Sequence, residues 1–473
     1  MFPVELDLMK PITAKRNRLP VFSTRFFAIG IGLGISLGVS IAAHAATLQV
    51  GPGKTYAKPC LAIAAAAAGD TVEIDAAGSY AGDTCAWSTD NLTVRGVGGR
   101  PKLDITGVQP AQQKGLFTIS AANATIENLE FSGAAISAAS GNNGAGIRHQ
   151  GTNLTVRGCV FHDNQNGILG SPAAGLTGQV LIENSEFYSN GAGDGFSHNM
   201  YLGNYATFIL RHSYSHRGKV GHLVKSRALV SQILYNRITD EMGGSASYEI
   251  DLPNGGTGVV LGNIIEQSAT SQNPAMLAFG EESVPSGYDS HLYVVNNTFL
   301  NTKGSGTFVS DATTTPAVLT NNIFWNGGTV SNQSTALLTS NFVSAQSGDP
   351  GFVNVTGFDV HLLPSSPCID KGTDPGSALS QSLSPVFQYV HPESQEARGT
   401  SGTAIDIGAY EYGNRVSTDG GDSSGGGTTA TGCSCQIGAR AKTQGSGIGN
   451  QQGVLLGILS AWILRRKRSL RTS

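Results

Sequence analysis

Four short segments in the middle of the chain gather residues able to move protons and neutralise charge. The first reads Phe196-Ser197-His198-Asn199-Met200-Tyr201 and the second Gly221-His222-Leu223-Val224-Lys225-Ser226-Arg227. The third reads Tyr248-Glu249-Ile250-Asp251-Leu252-Pro253-Asn254, and the fourth runs from Ala275 through Phe279 to Glu281 and Glu282. If Met200, Val224, Ile250 and Leu277 point inward along extended strands, their neighbours point outward. Tyr201, Lys225 and Asp251 then form one row. Asn199 and Glu249 fall one pleat before it, Arg227 falls one pleat beyond it, and His198, His222 and Tyr248 sit beside it.

Such a patch suits β-elimination on a uronate polysaccharide. That reaction removes a proton alpha to a carboxylate and builds charge on the carboxylate oxygens. It needs a cation, a base and an acid for the leaving oxygen. Arg227 is suited to clamp the carboxylate with two parallel hydrogen bonds. Lys225 is suited to act as base or as charge neutraliser, and His198, His222 or Tyr201 to supply the acid or base. Asn199, His212, His216, Tyr248 and Asn254 are the candidate sugar-binding residues. Glu249 and Asp251 also permit a glycoside hydrolase, with two carboxylates as acid and base or nucleophile. A third reading is a carbohydrate-binding or adhesive surface with no catalysis. The blander view of Lys225 and Asp251 is an exposed ion pair worth at most ~1 kcal/mol. The histidines weigh against it, because His198, His212, His216 and His222 crowd into one stretch of a chain with 10 in all.

The elements that hold these segments are visible as a repeat. NLTVRG begins at Asn91 and again at Asn153, with NATIEN at Asn123 between them. Looser copies follow, and their last residues are Asn184, His212, Asn236, Asn263, Asn297 and Asn322. Each copy lies 24–34 residues from the next, a spacing that suits one coil of a parallel β-helix built from short strands and turns of varying length. An aromatic or Ile usually follows the marker, as at Phe131, Phe161, Phe187, Ile238, Ile265, Phe299 and Phe324. The recurrent Asn predicts a ladder of stacked amides at one turn, bonded coil to coil. Leucine-rich repeats need Leu at fixed positions and a shorter constant period, and a β-sandwich does not repeat a marker so many times. The predicted fold is therefore all-β, a single-stranded right-handed parallel β-helix, with its hand taken from the general preference for right-handed crossovers.

These repeats resemble the right-handed parallel β-helix superfamily that contains pectate lyases and many surface polysaccharide-active proteins. The closing stretch, LPSSPCIDKG from Leu363 and DIGAYE from Asp406, resembles the terminal segment of bacterial members with a C-terminal anchor. The resemblance spans about residues 47–412. It implies a lyase that uses Lys and Arg on an outer face, often with Ca²⁺. Glu249, Asp251 and Glu281 are the candidate metal ligands, although no compact calcium loop is visible.

Composition fits a turn-rich solenoid: 63 Gly, 40% hydrophobic and 13% charged residues in 473, with a formal net charge of -3. No basic field points to nucleic acid, and a monomer is expected. Residues 1–45 read as a signal peptide, with basic residues, an apolar run and Ala43-His44-Ala45 as the cleavage site. Export favours disulfides, and Cys60 with Cys85 is the expected pair. Cys159 reads as a buried thiol, and the state of Cys368 stays open. The Asn-x-Ser/Thr matches at Asn91, Asn123 and Asn153 fall at strand starts and read as structural. The β-helix is expected over 46–412, a Gly/Ser-rich linker over 413–432, and a sorting or membrane-anchor segment over 433–473. That tail holds Cys433, Cys435, a short apolar stretch and the basic run from Arg465. It resembles a myxobacterial-type C-terminal sorting signal, which implies processing at Cys433 or Cys435 by sorting machinery and attachment at the outer surface.

Overall fold

Each repeat folds into three short strands, and each strand pairs with its counterparts one coil earlier and one coil later. A computed structural model describes residues 44–414. All but the last two residues of the expected signal peptide, nearly all of the linker, and the tail with Cys433 and Cys435 lie outside the described residues. The pairing builds three wholly parallel sheets of twelve, ten and ten strands. Sheet A runs from Thr47–Val50 to Leu337–Thr339, sheet B from Cys85–Trp87 to Thr329–Ser331, and sheet C from Lys102–Asp104 to Phe342–Val343. From Leu92–Val97 onward the chain visits A, then C, then B in each coil.

Alternation decides which residues fill the interior. Within Asn153–Arg157, Leu154 and Val156 are buried in the core while Asn153, Thr155 and Arg157 face out. Phe131, Phe161 and Phe187 stack inside sheet C with ring centroids 4.8 Å apart at each step. At the next coil the register places Ser215 opposite Phe187. Its hydroxyl bonds the Leu223 carbonyl at 2.8 Å and accepts from Asn199 at 3.1 Å. The aromatic column is thus interrupted by polar groups at the level where the candidate segments begin.

The corner from sheet A to sheet C shows why the repeat has its marker. One residue there adopts positive φ: Asn128, Asn184, His212, Tyr235, Asn296 and Asn321, with Gly158 and Gly262 at the same place in their coils. The residue after it points inward. From Asn236 on this is always Asn, and the amides of Asn236, Asn263, Asn297, Asn322 and Asn341 form the expected ladder, with Nδ2 to Oδ1 distances of 2.9–3.0 Å. The marker therefore slips by one residue between the early and late coils. His212 aligns with Tyr235, and Ser213 with Asn236.

The helix Pro59–Ala65 packs against the first strands. A Cys60–Cys85 disulfide ties it to sheet B, as the sequence predicts. Cys159 and Cys368 are both buried free thiols. The solenoid ends near Val343, earlier than expected. Residues 344–414 instead form a strap with three short antiparallel hairpins. The strap returns along the A–C corner: Asn321 donates to Thr373 O at 2.7 Å, Asn296 to Asp406 O at 2.9 Å and Asn184 to Glu393 O at 3.0 Å. Among the described residues, these strap bonds reach the A–C corner and none of them reaches sheet B. Among the described residues no helix is long and apolar enough to cross a membrane.

Candidate functional site

Sheet B positions the candidate residues. The strands Met200–Leu202, Val224–Ser226 and Ile250–Leu252 lie side by side, with Tyr201 opposite Lys225 and Lys225 opposite Asp251. Met200, Val224, Ile250 and Leu277 are fully buried in the core, so the row faces outward. His198, His222 and Tyr248 form a second column at the turn leading into these strands. The rings of His198 and His222 are 4.5 Å apart and edge to face, and His222 stacks on Tyr248 at 5.1 Å. Gly221 permits this close approach, because a Cβ there would lie 1.9 Å from Ser197 O.

The row is a charge network. Lys225 Nζ lies 2.8 Å from Asp251 Oδ2 and 2.8 Å from Glu282 Oε1. Arg227 donates through Nε to the Tyr201 hydroxyl at 2.7 Å, and through its terminal nitrogens to Asn254 and to the other oxygen of Glu282. One carboxylate thus bridges the two cations. Burial works against its ionisation, but hydrogen bonds from Lys225 and Arg227 hold Glu282 down to about 2. Asp251 is pushed up by burial, which outweighs the attraction of Lys225.

His198 and His222 are both held away from the charged form. Burial, then the positive charge of Lys225, brings His222 down to about 3. Burial also holds His198 well below its usual range, helped by His222, Lys225 and Arg227. His198 Nδ1 accepts the backbone N–H of His222 at 2.9 Å, which leaves the proton of the neutral ring on Nε2. His222 Nδ1 faces Asp251 Oδ2 at 3.4 Å. Tyr248 donates its hydroxyl to Glu281 at 3.1 Å, and burial followed by the Glu281 charge raises it to about 12.

These residues line a cleft of about 570 Å³. A second cleft of about 400 Å³ continues it along the solenoid and shares Phe196, Tyr201 and Arg227 with it. Phe196 stands at the junction with 83% of its surface exposed.

Several expected site residues lie elsewhere. Asn199 is fully buried and spends its amide on Phe187 O, Ser215 and His216 O inside the solenoid. His212 sits at the strap-covered corner, stacked on Tyr235 and edge-on to Phe387. His216 is buried on sheet C, 3.0 Å from Glu186. Glu249 precedes its strand, so the alternation does not apply to it. It turns inward and accepts from Ser271 at 3.2 Å. Glu249, Asp251 and Glu281 therefore do not fit a shared Ca²⁺ ion: one is interior, one is paired with Lys225, and one is bonded to Tyr248. Among the described residues no group of three His, Cys, Asp or Glu is placed to hold a metal. Sequence reasoning missed Glu282 as a site residue. The only available signal was a second acid directly after Glu281.

The family model for a right-handed β-helix region matches residues 80–247. Among solved structures, pectate lyase Pel9A is similar at 16% identity, covering 78% of this chain and 98% of its own, with a TM-score of 0.48. The Dettilon tailspike protein is similar at 12% identity, covering 58% of this chain and 62% of its own, with a TM-score of 0.23. No curated protein sequence matches the chain. The three parallel sheets and the family match together establish an all-β, right-handed parallel β-helix.

Proposed function

We propose that the sheet B cleft binds an acidic, uronate-containing polysaccharide and cleaves it by β-elimination. The observation that carries this reading is the convergence of Lys225 and Arg227 on the single carboxylate of Glu282. In the working complex that place is taken by the carboxylate of a sugar residue. Both cations then lower the cost of the charge that builds on its oxygens as the alpha proton leaves. Lys225 is held between carboxylates and acts as the neutralising cation. His222 is the base, once a bound carboxylate offsets part of the burial and Lys225 charge that hold it down to about 3 in the free site. Its Nδ1 faces Asp251 at 3.4 Å, which favours Nδ1–H and leaves the lone pair on Nε2. His198 Nε2–H and the Tyr201 hydroxyl are the two proton donors available to the leaving oxygen.

Hydrolysis by Glu249 and Asp251 has no support, since Glu249 is interior. The reading also places the solenoid at the cell surface, resting on the apolar leader and the Cys433–Cys435 tail. Fractionation of cells expressing the full chain and a Cys433→Ser/Cys435→Ser variant tests that part.

The enzymatic part is tested by following the absorbance of unsaturated uronate over a panel of pectate, alginate and glycosaminoglycans. At least one polymer should give a rising signal that Lys225→Ala and His198→Ala both abolish while the fold survives. Retention of a polymer without any signal would leave a binding protein and end the lyase reading.

A further inference from the structure

Nine arginines fall among the described residues, and eight of them have a carboxylate within 4.0 Å. The exception is Arg148. It lies on the sheet B strand Ala145–His149, whose Ile147 and His149 are fully buried, so Arg148 faces out. Register continues its position through Leu169 to Tyr201 and then to Lys225. It therefore belongs to the same outward row, three strand spacings from Lys225, or roughly 14 Å at about 4.8 Å per step.

Arg148 lines the second cleft together with Asn143, Ser171 and Asn204. Its Nε is enclosed and has no hydrogen-bond partner. Burial disfavours its charge; the Tyr205 hydroxyl offsets only part of this, and among the described residues no carboxylate lies within 4.0 Å. A half-buried guanidinium without a counter-ion is costly and is rarely kept in a scaffold. Every other arginine in this solenoid shows how such a group is normally satisfied. The amide and hydroxyl groups around it match the hydrogen-bonding needs of sugar hydroxyls, and Phe196 joins its cleft to the Lys225 cleft.

We infer that Arg148 is a second carboxylate-binding subsite, which holds another acidic sugar of the same chain about 14 Å from the reacting one. This rests on the reading of the groove as an acidic-glycan site. It adds that the ligand is polyanionic along its length and spans both clefts. Specificity then falls on runs of acidic sugars rather than on isolated ones.

The test compares wild type, Arg148→Gln and Arg148→Lys on a ladder of uronate oligosaccharides, by calorimetric binding and by turnover. Oligosaccharides long enough to span both clefts should lose about tenfold in affinity or KM with Arg148→Gln. Disaccharides should be unchanged, kcat should be nearly constant, and Arg148→Lys should restore part of the loss. Equal losses on short and long chains, or none on either, would overturn the subsite. Its failure is separable from failure of the lyase reading. If wild type holds long acidic chains without cleaving them and Arg148→Gln releases them, the subsite stands and elimination falls. If cleavage is seen and Arg148→Gln treats all lengths as wild type does, elimination stands and the subsite falls.

Discussion

The A–C corner and the outer row of sheet B are built on the same lattice, one residue per coil. At the corner, successive coils present the same residue: Asn236, Asn263, Asn297, Asn322 and Asn341 are joined by four side-chain amide bonds. Along the row they present unlike ones, Arg148, Leu169, Tyr201, Lys225 and Asp251. Identical amides satisfy one another and seal the interior. Unlike charged groups satisfy one another only in part, and they leave Arg148 and the bridged cations available to an incoming anion. In a solenoid, then, sameness between coils marks scaffold and difference marks a site.

The contrast can be broken from either side. The largest effect is expected from Lys225→Ala, which should lower turnover about a thousandfold, the scale of losing one transition-state charge partner. Its melting temperature should move less than its rate, because Arg227 still pairs with Glu282, which is half-exposed to water. Asn263→Ala should do the reverse. It strands the buried backbone N–H of Asn236 and removes one of the two partners of Asn236 Nδ2 and of Asn297 Oδ1, and should cost about 3 kcal/mol in urea unfolding with KM unchanged. Parallel losses of stability and rate in both variants would erase the distinction between corner and row.

Acid should act next. His149 and His212 are held at about 4 and His222 at about 3, chiefly by burial. Below about pH 6.5 the unfolded chain takes up protons that the native state refuses. These histidines should therefore lower stability as pH drops from about 6.5 toward 4, against the opposite contribution of Glu266, which burial pushes up to about 7, and His212→Gln should reduce the histidine part of that slope without altering kcat. The smallest effect belongs to Glu282→Gln. Removing the resident charge should lower KM for an acidic polymer about fivefold. A raised KM would make Glu282 a contributor to binding rather than a competitor.

The sequence made the row legible because the inward residues Met200, Val224, Ile250 and Leu277 set the alternation, and alternation holds within a paired strand. It failed one residue outside. Glu249 lies just before Ile250–Leu252, where the chain is turning and side-chain direction no longer follows the period. His212 misled for a related reason. Its composition suggested chemistry, but its place was the left-handed corner, hidden by the one-residue slip of the marker. Glu282 lies on the irregular segment between Ala275–Phe279 and His291–Val295, where no strand period sets side-chain direction. Arg148 sits in an ordinary coil, and what distinguishes it is a missing neighbour, which no sequence displays.

The returning strap changes what kind of object the solenoid is. A stack in which each coil touches only the next is expected to fray from its ends and to unfold in stages. Here Glu393 reaches Arg100, 293 residues earlier, and the buried pair Arg398–Glu411 anchors the same strap beside the late coils. Residues 344–414 thereby fasten early coils to late ones. Loss of an end coil also loosens the strap over the middle, so the molecule should behave as a single cooperative unit. A truncation near residue 343 should turn one sharp melting transition into a broad, stepwise one.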